Sequence, residues 1–314
     1  MVWGNASGSP AAENANLPLL NDLRALAHPN VHGVNRGVLY RTNSLAFRGP
    51  EWAREPAPGV FRIAVAGDST SMGSGVAEAD RYSDQLERLL NASDSSRGYE
   101  VINTALSGLN VAQGVTRLER GLRHYRVDLL VFGTSRNDIE GKAYEHLDLE
   151  NDRGDWWAWA GRHARSPSYF WRLLTFRIAQ VQGREGREAK RAEIHHNYFE
   201  NPRAWRDFVA GFDHLARLAR SRDVCAQVFV LAFLNDLGPQ DPERVVYERV
   251  EQAARRRGFG VTQSFPALEG RSAESLWVSR FDPHPNAEAH TILAEALYDG
   301  LRELPEKCWK SAKR

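Results

Sequence analysis

From Phe61 onward, short apolar runs alternate with longer stretches whose apolar residues recur at helical spacing. Phe61, Ile63 and Val65, with Ala64 and Ala66 between them, form a strand apolar on both faces, the mark of a central strand covered on both sides. Further strands are predicted over 99–103, 127–133, 226–233 and 259–262. Helices are predicted over 81–91, 111–125, 204–220, 243–257 and 287–301. Tyr82, Leu86, Leu89 and Leu90 fall on one side of the first helix, and Val111, Val115, Leu118 and Leu122 on one side of the second. Asn110 and Asn286 stand where an N-cap is wanted. Strand and helix in strict alternation predict an α/β chain with a five-stranded parallel sheet and helices on both faces.

The flanks break this rhythm. Residues 1–16 are rich in Ala, Asn, Gly and Ser and are expected to be poorly ordered. Residues 17–60 read as an N-terminal arm packed on the main domain of residues 61–304. The arm holds a short amphipathic helix in LPLLNDLRALA and an alternating run around Leu39, Tyr40 and Phe47. Residues 305–314 form a tail. Between 141 and 202 no strand is evident, and this insertion carries Trp156, Trp157, Trp159, Tyr169, Phe170 and Trp171. Aromatics at such density bury large areas, either as core or as a cap over a site. Read as a cap, the segment puts at least one of Trp156, Trp157, Trp159 and Trp171 on a substrate pocket.

Charge removes several classes of function. With 41 Lys and Arg against 40 Asp and Glu, the chain has no global field to recruit nucleic acid or an anionic membrane. The triplet Arg255, Arg256 and Arg257 reads as a solvated helix end. Two cysteines allow neither a disulfide framework nor a cysteine zinc site. Cys225 is expected to be buried at the start of a strand, and a bridge to Cys308 is left open, because a sequence carries no distances. No apolar run is long enough for a transmembrane helix. The first residues lack a basic region followed by an apolar one, so they do not read as a secretion signal, and the compartment stays open. His28 and His32 are separated by Pro29 and followed by Gly33, which argues against a helix that would align them on a metal. No metal and no cofactor are expected.

The candidate chemistry sits at strand ends. The run FRIAVAGDSTSMGSG delivers the first strand into a loop of small and hydroxyl residues. Gly67 permits a sharp turn, Asp68 can brace it, and Ser69 is left at the carboxyl end of the strand, where open α/β sheets bind ligands. A serine hydroxyl needs a neighbouring base to become a nucleophile. Among ten histidines His284 is the best candidate, because Asp282 lies two residues before it in FDPHPNAEAH and can fix its tautomer, while Pro283 and Pro285 stiffen the loop. His290 falls inside the last helix and reads as structural. His195 and His196 lack a carboxylate at useful spacing and read as surface residues.

With Gly108 in NTALSGLN and Asn137 in GTSRNDIEG standing between these two blocks, the chain resembles the SGNH/GDSL hydrolase superfamily over residues 61–302. Its four name-giving residues are here Ser69, Gly108, Asn137 and His284. The resemblance implies a flavodoxin-like three-layer α/β/α sandwich and hydrolysis of a small or carbohydrate-linked acyl ester by Ser69, His284 and Asp282. It also implies an oxyanion hole made by the backbone N–H groups of Ser69 and Gly108 and the amide of Asn137. Asp68 and Asp138 read as loop braces. Members often carry Gly immediately before the Asn or two residues before it. Here Arg136 and Ser135 hold those places, which implies a longer or tilted loop. Arg136 reads as exposed, with contact to an anionic substrate group as the alternative.

Two other functions fit parts of the pattern. The same residues can pass an acyl group to an alcohol rather than to water, since the pocket chooses the acceptor. The hydroxyl-rich loop of Ser69, Thr70, Ser71 and Gly73 can also cradle a phosphate. It lacks the Lys of a P-loop, however, and a phosphate binder has no use for the Asp282 and His284 pair. Partners are then a small-molecule or glycan ester, and the oligomeric state is not legible.

Overall fold

The alternation predicted from the sequence closes into one five-stranded parallel sheet in the computed structural model, which describes residues 17–20, 23–140 and 183–310. In chain order the elements are α1 (Leu23–Leu26), β1 (His32–Asn35), β2 (Val38–Arg41), β3 (Val60–Ala66), α2 (Ser69–Met72), α3 (Tyr82–Ser93), β4 (Gly98–Asn103), α4 (Val111–Leu122) and β5 (Leu129–Thr134). There follow α5 (Gly183–Phe199), α6 (Pro202–Ser221), β6 (Cys225–Val230), α7 (Arg244–Arg255), β7 (Gly260–Gln263), β8 (Trp277–Ser279), β9 (Asp282–Pro285) and α8 (Ala287–Arg302).

The sheet order is β4-β3-β5-β6-β7, the doubly wound order in which the chain reverses direction beside β3. Ligands of such sheets bind beyond the carboxyl ends of the strands at that reversal, where β3 delivers Ser69. Phe132 on β5 faces Gly114 of α4, and Phe229 on β6 stacks edge-on against Tyr82 of α3. In the register Phe132 pairs with Val228, so Phe132 and Phe229 lie on opposite faces and both are covered. The result is the three-layer sandwich with β3 and β5 buried along nearly their whole length.

Local signals account for the helix starts. Asn110 and Gln113 form a reciprocal capping box at the head of α4. Asn286 caps α8 through the Ala289 N–H at 3.0 Å. Helix α6 begins at Pro202 rather than at 204, because Asn201 accepts from the N–H groups of Arg203 and Ala204 and proline suits the first turn. Strand β6 stops at Val230, short of the predicted 233, where the Ala232 N–H turns to the hydroxyl of Ser264 instead of a strand partner. Within the stretch read as an insertion, 183–199 is helix α5. Trp156, Trp157, Trp159 and Trp171 lie outside the described residues, as do residues 1–16 and 311–314.

The arm is a small hairpin, β1 against β2, set beside the site end of the sheet. Its Leu20, Leu26, Val31 and Tyr40 share one apolar cluster with Met72 of α2 and with Ala105, Leu106 and Leu109 of the loop after β4. Arg48 seals this junction. Buried on all sides, it donates to the carbonyls of Met72 (3.1 Å), Gly73 (2.6 Å) and Val76 (2.7 Å), and Arg81 donates in turn to the carbonyl of Arg48 at 2.8 Å. Burial and the neighbouring Arg81 charge pull the Arg48 guanidinium down to about 10.

At the opposite end of the sheet Cys225 and Cys308 form a disulfide, the alternative the sequence left open. The bridge ties the start of β6 to the turn Glu306–Trp309 across 83 residues. Closing a loop of that length restricts the unfolded chain, so Cys308→Ser is expected to lower the unfolding free energy by about 2–5 kcal/mol. Urea midpoints of oxidised and reduced protein measure it, and equal midpoints would contradict the bridge.

Among the described residues no helix is long and apolar enough to cross a membrane. No group of three or more potential metal ligands occurs among them.

Candidate active site

Ser69 opens α2, a single helical turn that begins where β3 ends. Gly67 precedes it with φ of 147°, and a Cβ there would come within 2.4 Å of the Gly133 carbonyl, so only glycine lets β3 end this close to β5. Asp68 is buried and caps the turn, accepting the Thr70 N–H at 3.0 Å. Gly73 closes the turn in the left-handed conformation, and the Tyr82 hydroxyl donates to Ser71 Oγ at 2.8 Å. Ser69 itself is half-buried at the loop surface.

Two further loops converge on this turn. The loop after β4 is laced to it by the Leu106 N–H on the Gly67 carbonyl (3.2 Å) and by the Asn103 amide on the Ser71 carbonyl (2.7 Å). Gly108, with φ of 81°, forms its bend. Among the described residues neither the N–H of Ser69 nor that of Gly108 donates a hydrogen bond to another group. The second loop, a tight turn Arg136–Ile139 after β5, is joined through Asp68. Ser135 Oγ lies 2.7 Å from Asp68 Oδ2, and the Asn137 amide nitrogen lies 3.4 Å from the same oxygen. An amide nitrogen has two hydrogens, so this contact leaves Asn137 a second donor. Asp138 accepts the Ser135 N–H at 3.1 Å, and burial together with the Asp68 charge pushes its carboxyl well above the usual range.

His284 enters from the C-terminal side on β9, which pairs with β8 in a small antiparallel ribbon. The Trp277 indole anchors that ribbon by donating to the Leu234 carbonyl at 2.6 Å. Val278 fills the space above Gly75, where a Cβ would approach it to 2.7 Å, so the ribbon packs directly against the loop that follows α2. His284 Nδ1 lies 2.5 Å from Asp282 Oδ1, which also accepts the His284 N–H at 3.2 Å. Burial would raise the Asp282 carboxyl, but the hydrogen bond and charge of His284 and the guanidinium of Arg36 outweigh it and hold the carboxyl at about 2. An ionised carboxylate can only accept, so the contact favours the tautomer with its proton on Nδ1, in which the neutral ring carries its lone pair on Nε2. Among the described residues no hydrogen bond joins this ring to Ser69 Oγ.

Three readings of the sequence need correction. Arg136 is not exposed: it is 6% accessible, lies 3.6 Å over the Phe233 ring and is paired with Glu243, which is 1% accessible. A cation in that position is already neutralised, and it anchors the turn that carries Asn137. His195 is not a simple surface residue either, since its Nε2 lies 3.4 Å from the second oxygen of Glu243, whereas His196 is exposed beside Glu200. Arg257, third of the basic triplet, is not merely solvated, for it donates to Asp213 on α6 at 2.7 Å. His290 is structural, as expected. It is wholly buried, accepts the Tyr82 N–H at 3.2 Å, and is drawn down to about 3 by burial and by the charges of Arg48 and Arg81.

The fold is similar to several solved structures. That of TesA aligns with 77% of this chain and 98% of its own at 18% identity and a TM-score of 0.45. A lipolytic protein of the G-D-S-L family from Desulfitobacterium hafniense aligns with 76% of this chain and 98% of its own at 12% identity and a TM-score of 0.46. The acetylxylan esterase Axe2 from Geobacillus stearothermophilus aligns with 77% and 94% at 17% identity and a TM-score of 0.46. No protein-family profile and no curated protein matches the sequence. The chemistry therefore rests on the side chains themselves.

Proposed function

We propose that this chain is a serine-dependent acyl-ester hydrolase of the SGNH/GDSL kind, with Ser69 as nucleophile, His284 as base and Asp282 as the carboxylate that orients it. The observation that carries the reading is the Asp282 to His284 hydrogen bond at 2.5 Å, on a ribbon packed against the turn that presents Ser69.

In the reaction Ser69 Oγ attacks the ester carbonyl carbon while its proton passes to His284 Nε2. The carbonyl oxygen becomes an oxyanion, met by the unspent N–H groups of Ser69 and Gly108 and by the second amide hydrogen of Asn137. The tetrahedral species collapses, the C–O bond to the alcohol breaks, and the imidazolium returns its proton to the departing oxygen. Water then repeats the sequence on the acyl-serine, releasing the acid. Asp68 holds the nucleophile turn and the Asn137 turn on one carboxylate, so the donors are in place before substrate arrives.

Asn137→Ala is expected to lower turnover about 10²- to 10³-fold, the usual cost of one lost oxyanion donor, with little change in KM. Collapse of substrate affinity at unchanged turnover would instead make Asn137 a ground-state contact. The substrate class is tested by incubating the protein with aryl acetates and acetylated sugars and analysing the products. Free acid supports hydrolysis, whereas an acylated alcohol in place of the acid would mean acyl transfer.

A further inference from the structure

The second oxygen of Asp282 has a partner from far away in the chain. Arg36 Nη1 donates to Asp282 Oδ2, across 246 residues, while Oδ1 is occupied by His284. Arg36 and Gly37 are the two central residues of the β1–β2 hairpin, since Asn35 pairs with Val38. Their φ values are 50° and 84°. A two-residue hairpin turn of this kind favours Asn, Asp or Gly at both positions, because other side chains are strained in the left-handed region. Arginine is a poor choice for the turn, and it sits at the point of the arm from which a side chain reaches Asp282. Residues held in such conformations are characteristic of functional sites.

We propose that Arg36 is a positioning residue for the acyl-transfer triad: the arm carries it to Asp282, where it holds the carboxylate by its second oxygen and keeps the first aimed at His284. The inference rests on the hydrolase reading above. Its physical basis is that a carboxylate held at both oxygens cannot rotate away from the imidazole when the ring takes up the serine proton. One buried side chain seats the hairpin: Arg48 links the Leu39 carbonyl of β2 to the carbonyls of Met72 at the end of α2 and of Gly73 just beyond it, so the turn bearing Ser69 and the hairpin bearing Arg36 are held by one guanidinium.

Among the described residues Asp282 contacts the ring, and Arg36 contacts Asp282 on its other oxygen. On α8 there is His290, drawn down to about 3 by burial and by Arg48 and Arg81. At the head of α2 there is Asp68, occupied by Thr70, Ser135 and Asn137. At the bend between β8 and β9, Arg280 lies 4.2 Å over the Phe281 ring. Loss of Arg36 removes a cation near the imidazolium and unmasks the Asp282 charge, and both changes favour the protonated ring.

The test compares Arg36→Asn, a residue this turn prefers, with Arg36→Lys. Arg36→Asn is expected to keep or raise the melting temperature and to lower turnover about 10- to 100-fold, the range for loss of an orienting contact behind a reacting group. KM should not change, the acid limb of the pH profile should move to higher pH, and Arg36→Lys should recover part of the turnover. Independently of activity, the NMR titration midpoint of His284, assigned with His284→Gln, should move upward in Arg36→Asn. An unchanged His284 titration and an unchanged turnover would overturn the role of Arg36. A wild-type protein that neither cleaves esters nor reacts with a fluorophosphonate would overturn the hydrolase reading and with it the catalytic role, even where the His284 titration still responds to Arg36.

Discussion

Ser69→Ala is expected to abolish ester cleavage while leaving the fold and its thermal transition intact. Removal of a triad nucleophile commonly costs about 10⁶ in turnover, because the remaining groups have no oxygen to activate and only binding and oxyanion stabilisation survive. The structure gives a reason for the fold to tolerate the change. Among the described residues the Ser69 hydroxyl is not part of the hydrogen bonds that build its turn. These run through Asp68, Thr70, Ser71, Gly73 and Ser74 instead. Circular dichroism and a melting curve check the fold, and a sensitive aryl-ester assay checks the rate. A Ser69→Ala protein that keeps more than a few per cent of activity would remove Ser69 from the mechanism.

Asp282→Asn should slow the reaction by up to about 10⁴, the cost when a triad carboxylate is replaced by an amide that favours the wrong histidine tautomer. The short contact to Nδ1 is the physical ground: an amide nitrogen turned toward Nδ1 would hydrogen-bond the tautomer that carries its proton on Nε2, which cannot accept the serine proton. The carboxylate also matters for stability at low pH. The folded protein holds Asp282 at about 2, below its unfolded value, so its contribution is present above the unfolded value and is lost as the pH falls through about 2. Asp282→Asn should therefore lose a little of the wild type's advantage at neutral pH and none below that range. If the substitution left turnover untouched, another acid would have to hold the ring. Asp236 is a poor substitute, since it is exposed and its Oδ1 is spent on the Gly238 N–H at 2.9 Å.

What the sequence made legible was local. The apolar double face of β3, the capping signals at Asn110 and Asn286, and the two-residue spacing of Asp282 and His284 all act within a turn or two of chain, where pattern and geometry are tied. The partners of buried charges were not legible in the same way. Arginine is usually exposed and nothing near Arg136 in sequence says otherwise, yet Glu243 and Phe233 wait for it about a hundred residues on. Arg48, buried on the carbonyls of the turn bearing Ser69, has nothing in its own neighbourhood that marks it. One local trace is at the hairpin: an arginine where the turn prefers Asn or Gly is a misfit that a periodicity scan passes over. Asn103, a polar residue closing an apolar strand, was a similar sign, and its amide proves to tie the Gly108 loop to α2.

The arm therefore matters more to the site than its position outside the sheet suggests. It covers Met72 and the Gly108 loop with one apolar cluster, and it delivers Arg36 to Asp282. A doubly wound sheet places ligands beyond its strand ends, and here the strand ends are walled by a segment that precedes the sheet in sequence. Full burial of a side chain the size of Met72 is worth about 1.5–3 kcal/mol, so the arm and the turn bearing Ser69 stabilise one another.

The most direct test of the account is to treat the protein at neutral pH with a fluorophosphonate probe and map the adduct by mass spectrometry of its peptides. A serine reacts at a useful rate only where a base takes its proton and donors receive the developing charge. One adduct is expected, on the peptide containing Ser69, formed far more slowly in Asp282→Asn and absent in Ser69→Ala. An unlabelled wild-type protein, or an adduct that persists in Ser69→Ala, would contradict it.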